Sequence, residues 1–285
     1  MMRFSVRCYW RNLVQDSFFA LEGFIGSSRE RFCTMDASIL VLFFLIFLAG
    51  FIDSIAGGGG LITVPAYMAV GLPAHMALGT NKFSSVMGLA TSTYRFIKNK
   101  HVHWRSAAAA FIGALFGSRM GANLVLTLDE RTVRYIVLVL VPIVLVFMVL
   151  RKDIGINPNP VPNNRVLPYS VLIGLVIGMY DGFFGPGAGT FLIIAFTAII
   201  GLEMITACGN AKIVNLASNI AAVVTFIQND SVMFIIGIPC AICSIAGNYI
   251  GSGLTMSKGA KLVRPMMFVV IGLLLARIAW DLIAS

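Results

Sequence analysis

The chain has 285 residues, of which 58% are hydrophobic and only 12% charged, and it carries a formal net charge of +9. A soluble domain has about 25% charged residues, and a soluble fold cannot hide this much apolar surface, because part of any fold faces water. The excess positive charge is not a nucleic-acid footprint either. It collects at the ends of apolar segments (Arg95, Lys98, Lys100 and Arg105; Arg151, Lys152 and Arg165; Lys258, Lys261 and Arg264), as loops held on the cytoplasmic side do.

In chain order, the first 34 residues stand apart. They hold five Arg and three acidic residues and contain no apolar run long enough to span a bilayer. They also lack the apolar core and cleavage site of a secretory signal. Residues 1–34 read as a dispensable N-terminal extension, and without them 16 basic and 9 acidic residues remain. From Met35 the sequence turns to MDASILVLFFLIFLAG, and long uncharged runs follow, such as Ser54 to Asn81, Gly182 to Leu202 and Ser231 to Met256. Roughly 20 apolar residues cross a bilayer as a helix, so the fold class is an all-α, polytopic membrane bundle and the lipid bilayer is a partner.

The first half, residues 35–152, predicts a helix over 37–56, a glycine cluster at Gly57–Gly60, a shorter helix over 61–71 and spans near 77–97, 105–126 and 132–150. A polar linker, residues 153–166, contains IGINPNPVPNN. The second half, residues 167–285, predicts the same order: 167–183, the cluster GPGAG, then 189–200, 206–227, 232–254 and 264–283.

The two halves also match residue by residue. Asp53, Gly57 and Gly59 lie 128 residues before Asp181, Gly185 and Gly187. Lys82, Asn99, Val102, Gly117 and Gly121 lie 130 residues before Lys212, Asn229, Val232, Gly247 and Gly251. The pattern reads as a tandem duplication with a two-residue insertion. An odd number of elements per half inverts the second copy, which puts the basic loops at 98–105, 151–165 and 255–264 on one side and the loop at 228–231 on the other. The rival reading, four spans per half in parallel, puts Lys258, Lys261 and Arg264 on the wrong side.

Glycine clusters between apolar helices mark non-helical backbone at membrane depth, which is tolerated only where it is buried or lines a wet cavity. The helix after each cluster starts with free N–H groups at the positive end of its dipole, a ready anion site, and Thr63 and Thr190 add hydroxyls. A tight helical hairpin is the plainer alternative. Charges inside spans mark pathways or pairs. Lys82 and Lys212 read as substrate-binding, or else as partners of an Asp in the same half or as side chains snorkelling to the interface. Asp53 and Asp181 read either as coupling groups for H+ or Na+ or as structural partners and caps.

Other features carry less. C-A-I-C at Cys240 to Cys243 lies in an apolar helix and reads as small core residues. Gly113, Gly117, Gly121, Gly247 and Gly251 read as packing faces. Arg119 either snorkels outward or lines the path, and His101 and His103 sit in a basic loop. No zinc spacing, phosphate-binding loop or nucleophile with its base is present, so neither a cofactor nor an enzymatic activity is expected.

GFIDSIAGGGGLITVPAYMAVGLPAHMALGTNKFSS, followed by a basic turn and HW, with DGFFGPGAGTFL and GNAKIVNLASN later in the chain, resembles the sulfite exporter TauE/SafE family over Met35 to Ile283. The resemblance implies an inner-membrane carrier for sulfite, sulfoacetate, taurine-derived sulfonates or related small sulfur anions, commonly viewed as export. On the matching positions it places the anion site at Gly59, Gly60, Thr80, Asn81 and Lys82, and at Gly187, Thr190, Asn210, Lys212 and Asn215. The expected mechanism is alternating access, with the two glycine-interrupted hairpins facing each other across one anion. An anion channel and a carrier of a different anion are the alternatives. Oligomeric state is not legible from the residues.

Overall fold

The computed structural model describes residues 29–129, 132–133 and 162–259. Eight helices lie among them: α1 (Arg29–Ala56), α2 (Gly60–Ala69), α3 (Ala74–Lys98), α4 (Trp104–Leu126), α5 (Val166–Phe183), α6 (Ala188–Ala198), α7 (Met204–Gln228) and α8 (Phe234–Lys258). No strand occurs among the described residues. All but the first two residues of the expected element over 132–150, the element over 264–283, the linker over 153–161, and Arg151, Lys152, Lys261 and Arg264 lie outside the described residues. Two compact units divide the chain, Met1–Val41 and Leu42–Ser285. Of the first, the described part is the N-terminal portion of α1, which begins within the segment the sequence set aside as an extension. Everything that follows concerns the second unit.

Five of the helices have a stretch long and apolar enough to cross a membrane: Ser38–Ala56 within α1, and α4, α5, α7 and α8. The helices α2 and α6 are apolar but short. The 25-residue α3 is long but less apolar, because Asn81, Lys82, Ser84 and Ser85 lie on it. The surface is inverted relative to a soluble protein. Ile235 is 86% exposed and Phe116 66%, while Lys82 and Lys212 are each 1% exposed. Apolar side chains outside and charges inside suit lipid as the surrounding solvent.

The glycine clusters end the helices as expected. Gly57 stops α1 at φ +80°, a conformation that side chains with a Cβ adopt at a cost. The two clusters also meet. A Cβ at Gly57 would lie 2.3 Å from the Gly189 carbonyl carbon, and one at Gly189 would lie 2.6 Å from Gly57 Cα. The Thr190 hydroxyl completes the junction by donating to Ala56 O at 2.6 Å, which satisfies a carbonyl at the end of α1.

Contacts across the interior come in matched sets. A Cβ on Gly117 of α4 would strike Leu175 O of α5, and one on Gly247 of α8 would strike Phe47 O of α1. Gly121 meets Met179 O in the same way, and Gly251 meets Phe51 O. The small residues of α4 and α8 thus let whole helices approach backbone to backbone, the packing role their spacing predicts. Arg119 is exposed on α4, and so points out of the bundle. Cys240 is buried in an apolar cluster with Leu42, Ile46 and Tyr67, and no disulfide forms among the described cysteines.

Candidate functional site

At the centre, α1 and α2 bring Asp53 and the first glycine cluster beside Asn81 and Lys82 of α3. Asp181 and Gly185 come from α5 and the break after it, Asn215 and Asn219 from α7, and Ser244 and Asn248 from α8. Together with Thr63, Ser84 and Ser85 these groups line a polar cavity with a free volume of about 30 Å3. A single water needs about 10–15 Å3 on this measure, so the space suits a small ion or two waters.

Two ion pairs cross the site. Lys82 Nζ lies 2.8 Å from Asp181 Oδ1, and Lys212 Nζ lies 3.3 Å from Asp53 Oδ2. Each lysine therefore pairs with the aspartate of the other half, not with that of its own half as the plainer sequence reading had it. At 1% exposure neither lysine snorkels to an interface. The four charges sum to zero. This matters because an uncompensated charge in such a place costs several kcal/mol.

The aspartates are held differently. Asp181 Oδ2 accepts hydrogen bonds from the Ser218 hydroxyl and from Asn219 Nδ2 at 3.0 Å, in addition to its lysine. Asp53 Oδ1 accepts from the backbone N–H of Gly59 at 3.2 Å, and Lys212 Nζ also donates to Asp53 O. The Asp53 carboxylate thus occupies the helix start that the sequence reading kept for an anion. The Leu61, Ile62 and Thr63 amides fold back onto Gly58 O and Gly59 O at 3.0–3.2 Å, which among the described residues leaves the Gly60 N–H as the remaining first-turn donor.

Two carboxamides complete the donor set. Asn81 Oδ1 accepts from the Thr63 and Ser85 hydroxyls, and Asn215 Oδ1 accepts from Asn219 Nδ2 at 2.9 Å. With both oxygens engaged, the NH2 ends of Asn81 and Asn215 are the ones left for an occupant. Lys82 Nζ has three hydrogens and spends one on Asp181.

Of the ten expected binding residues, Gly59, Gly60, Asn81, Lys82 and Asn215 line this cavity, whereas Thr80, Gly187, Thr190, Asn210 and Lys212 do not. Thr80 and Asn210 perform a different task. Thr80 Oγ1 accepts from Met233 N at 3.0 Å, just ahead of α8, and Asn210 Oδ1 accepts from His103 N at 2.9 Å, just ahead of α4. Each caps the start of a helix in the other half. The sequence reading passed over Ser84, Ser85, Ser218, Asn219, Ser244 and Asn248. Their signal was Ser and Asn recurring four apart in apolar helices (Asn81 and Ser85, Asn215 and Asn219, Ser244 and Asn248), a spacing that puts both on one face. Among the described residues no group of His, Cys, Asp or Glu could hold a metal ion.

The family description Sulfite exporter TauE/SafE matches residues 42–278. The chain belongs to that family. It is 37% identical over 243 residues to the probable membrane transporter protein YfcA of Escherichia coli K12, covering 85% of this chain and 89% of the relative. A probable membrane transporter protein of Haemophilus influenzae is 31% identical over 243 residues, covering 85% of this chain and 95% of the relative. YdhB of Bacillus subtilis, also a probable membrane transporter protein, is 22% identical over 242 residues, covering 83% and 98%. No solved structure matches the chain. As a TauE/SafE protein with five membrane-length apolar helices, it is a multi-pass membrane transporter and not an enzyme.

Proposed function

We propose that this TauE/SafE protein is a secondary carrier of the cell (inner) membrane that exports sulfite, an organosulfonate or a related small sulfur-containing anion by alternating access. The observation that carries the reading is the cavity. Lys82, Asn81, Asn215 and Gly60, which carry these donors, line a space of about 30 Å3 where two broken helices meet. Several fixed donors around a small polar volume favour an oxyanion, since each takes up part of its charge. The volume favours the smallest members of the class.

The two halves are read as inverted copies related by a pseudo-twofold axis. The exchange of partners supports this: Lys82 with Asp181 against Lys212 with Asp53, and Thr80 capping α8 against Asn210 capping α4. Rocking of one half on the other would expose the site to either side, driven by the membrane potential or by an H+ or Na+ gradient.

The test is transport by the purified protein in liposomes, offering sulfite, sulfate, thiosulfate, sulfoacetate and taurine under an imposed proton gradient. Saturable, gradient-sensitive movement of one sulfur anion supports the carrier and names its substrate. Rapid flux without countertransport would make it a channel instead. Folded protein that moves none of them would remove the substrate class.

A further inference from the structure

The two aspartates occupy corresponding places in the halves, yet their surroundings differ in a way that assigns them different tasks. Asp181 is locked by Lys82, Ser218 and Asn219, and its side chain is 4% exposed. The positions corresponding to Ser218 and Asn219 in the first half are Gly88 and Leu89, which offer a carboxylate nothing. Among the described residues the Asp53 carboxylate has two partners, the Gly59 N–H and the Lys212 ammonium, and the side chain is 16% exposed and lines the cavity. These two partners are a helix-start amide and a cation, the donors an anionic substrate needs.

We propose that the Asp53 carboxylate is an internal competitor for the anion, and that its protonation releases those donors so that one anion and one proton enter the site together. This rests on the anion-carrier reading above. The charge balance supplies the reason. The charged groups facing Asp53 are Lys212 from α7, Lys82 from α3 and Asp181 from α5, whereas α2 and α8 present none to the cavity. With Asp53 ionised the four sum to zero, and an added anion leaves a net buried negative charge. With Asp53 neutral they sum to one positive charge, which one monoanion cancels. The proton comes from the solution on the side to which the cavity is open, passes to an Asp53 carboxylate oxygen and leaves with the anion on the other side. The loaded step therefore carries no net charge, and export by it runs down the anion's own gradient and not on the membrane potential.

Two further contacts fit this exchange. Lys212 Nζ also donates to the main-chain Asp53 O, so the lysine stays in place when the carboxyl turns away. In the same cavity Asn248 Oδ1 is a buried acceptor that finds no donor among the described residues, and Asn248 is 2% exposed. An anion alone cannot satisfy that oxygen, whereas a site that takes up a proton with its anion brings a donor within it.

The experiment measures equilibrium binding and proton uptake by the purified full chain with sulfite, thiosulfate and methanesulfonate, between about pH 5 and pH 8. Thiosulfate and methanesulfonate stay ionised throughout, and the proton carried by sulfite itself is read from a protein-free titration. The expected result with methanesulfonate, a monoanion at every pH used, is one proton taken up per anion bound, with affinity rising as pH falls, by up to about tenfold per pH unit. In Asp53→Asn, which mimics the protonated state, affinity becomes flat with pH and proton uptake is lost. Anion binding without proton uptake in the unmutated protein overturns the proposal and leaves the carrier intact. So does an unaltered pH dependence in Asp53→Asn. Binding of none of the three at any pH removes the sulfur-anion substrate class and the proposal with it.

Discussion

Lys82 and Asp181 are 99 residues apart in the chain and 2.8 Å apart in the fold, each almost wholly out of contact with solvent. Removing one member strands the other charge. Asp181→Ala is expected to destabilise the protein by about 3–5 kcal/mol, seen as loss of the folded, monodisperse species after extraction. The Lys82→Ala, Asp181→Ala double variant should recover most of that loss while transport stays abolished. Recovery of transport along with stability would show that Lys82 does not bind the substrate.

Lys212 is expected to act differently from Lys82 because it lies behind Asp53 and not on the cavity wall. Lys82→Ala should abolish saturable transport, whereas Lys212→Ala should weaken it and shift its pH dependence. If both proteins insert normally and transport at the unmutated rate, the lysines have no part in substrate handling.

Thr80 and Asn210 resemble binding residues by position but cap helices by contact. Thr80→Val and Asn210→Ala should each cost about 1–2 kcal/mol of stability and leave anion affinity within about threefold of the parent. Asn81→Ala and Asn215→Ala remove amide donors at the cavity, where each bond to an anion contributes about 1.5 kcal/mol or more. Their dissociation constants should rise about tenfold or more. The reverse ranking would move the anion site from Asn81 and Asn215 to Thr80 and Asn210.

Gly57 and Gly189 meet backbone to backbone, so a methyl at either position has nowhere to go. Gly57→Ala adds a φ of +80° to that clash. Both alanine variants should lose at least about 3 kcal/mol of stability, with Gly57→Ala the worse. Alanine proteins as stable as the parent would show that the two breaks do not touch.

Topology is open to chemical labelling. In a protein freed of its native cysteines, Lys100→Cys and Lys258→Cys should react with an impermeant reagent from the same side of the membrane. Asn229→Cys, in the loop without Lys or Arg, should react from the opposite side. Labelling of Lys100→Cys and Lys258→Cys from opposite sides would remove the inverted arrangement.

The amino-acid sequence by itself determined that the chain is a helical membrane protein, where its helices break and which buried positions carry charge. These are local matters: an apolar run of given length spans or packs wherever it is, and Gly57 or Pro186 interrupts a helix on account of its own backbone. It also marked Asp53, Lys82, Asp181 and Lys212, because a charge in an apolar run stands out without any knowledge of its surroundings. Only the tertiary structure decided which lysine meets which aspartate. It also showed that Thr80 and Asn210 spend their side chains on the helix starts at Met233 and His103, and that the first glycine cluster opens on the cavity while Gly187 and Thr190 do not. These depend on how α3 and α7 each reach across to the other half. Pairings over some hundred residues leave no trace in local hydropathy or spacing.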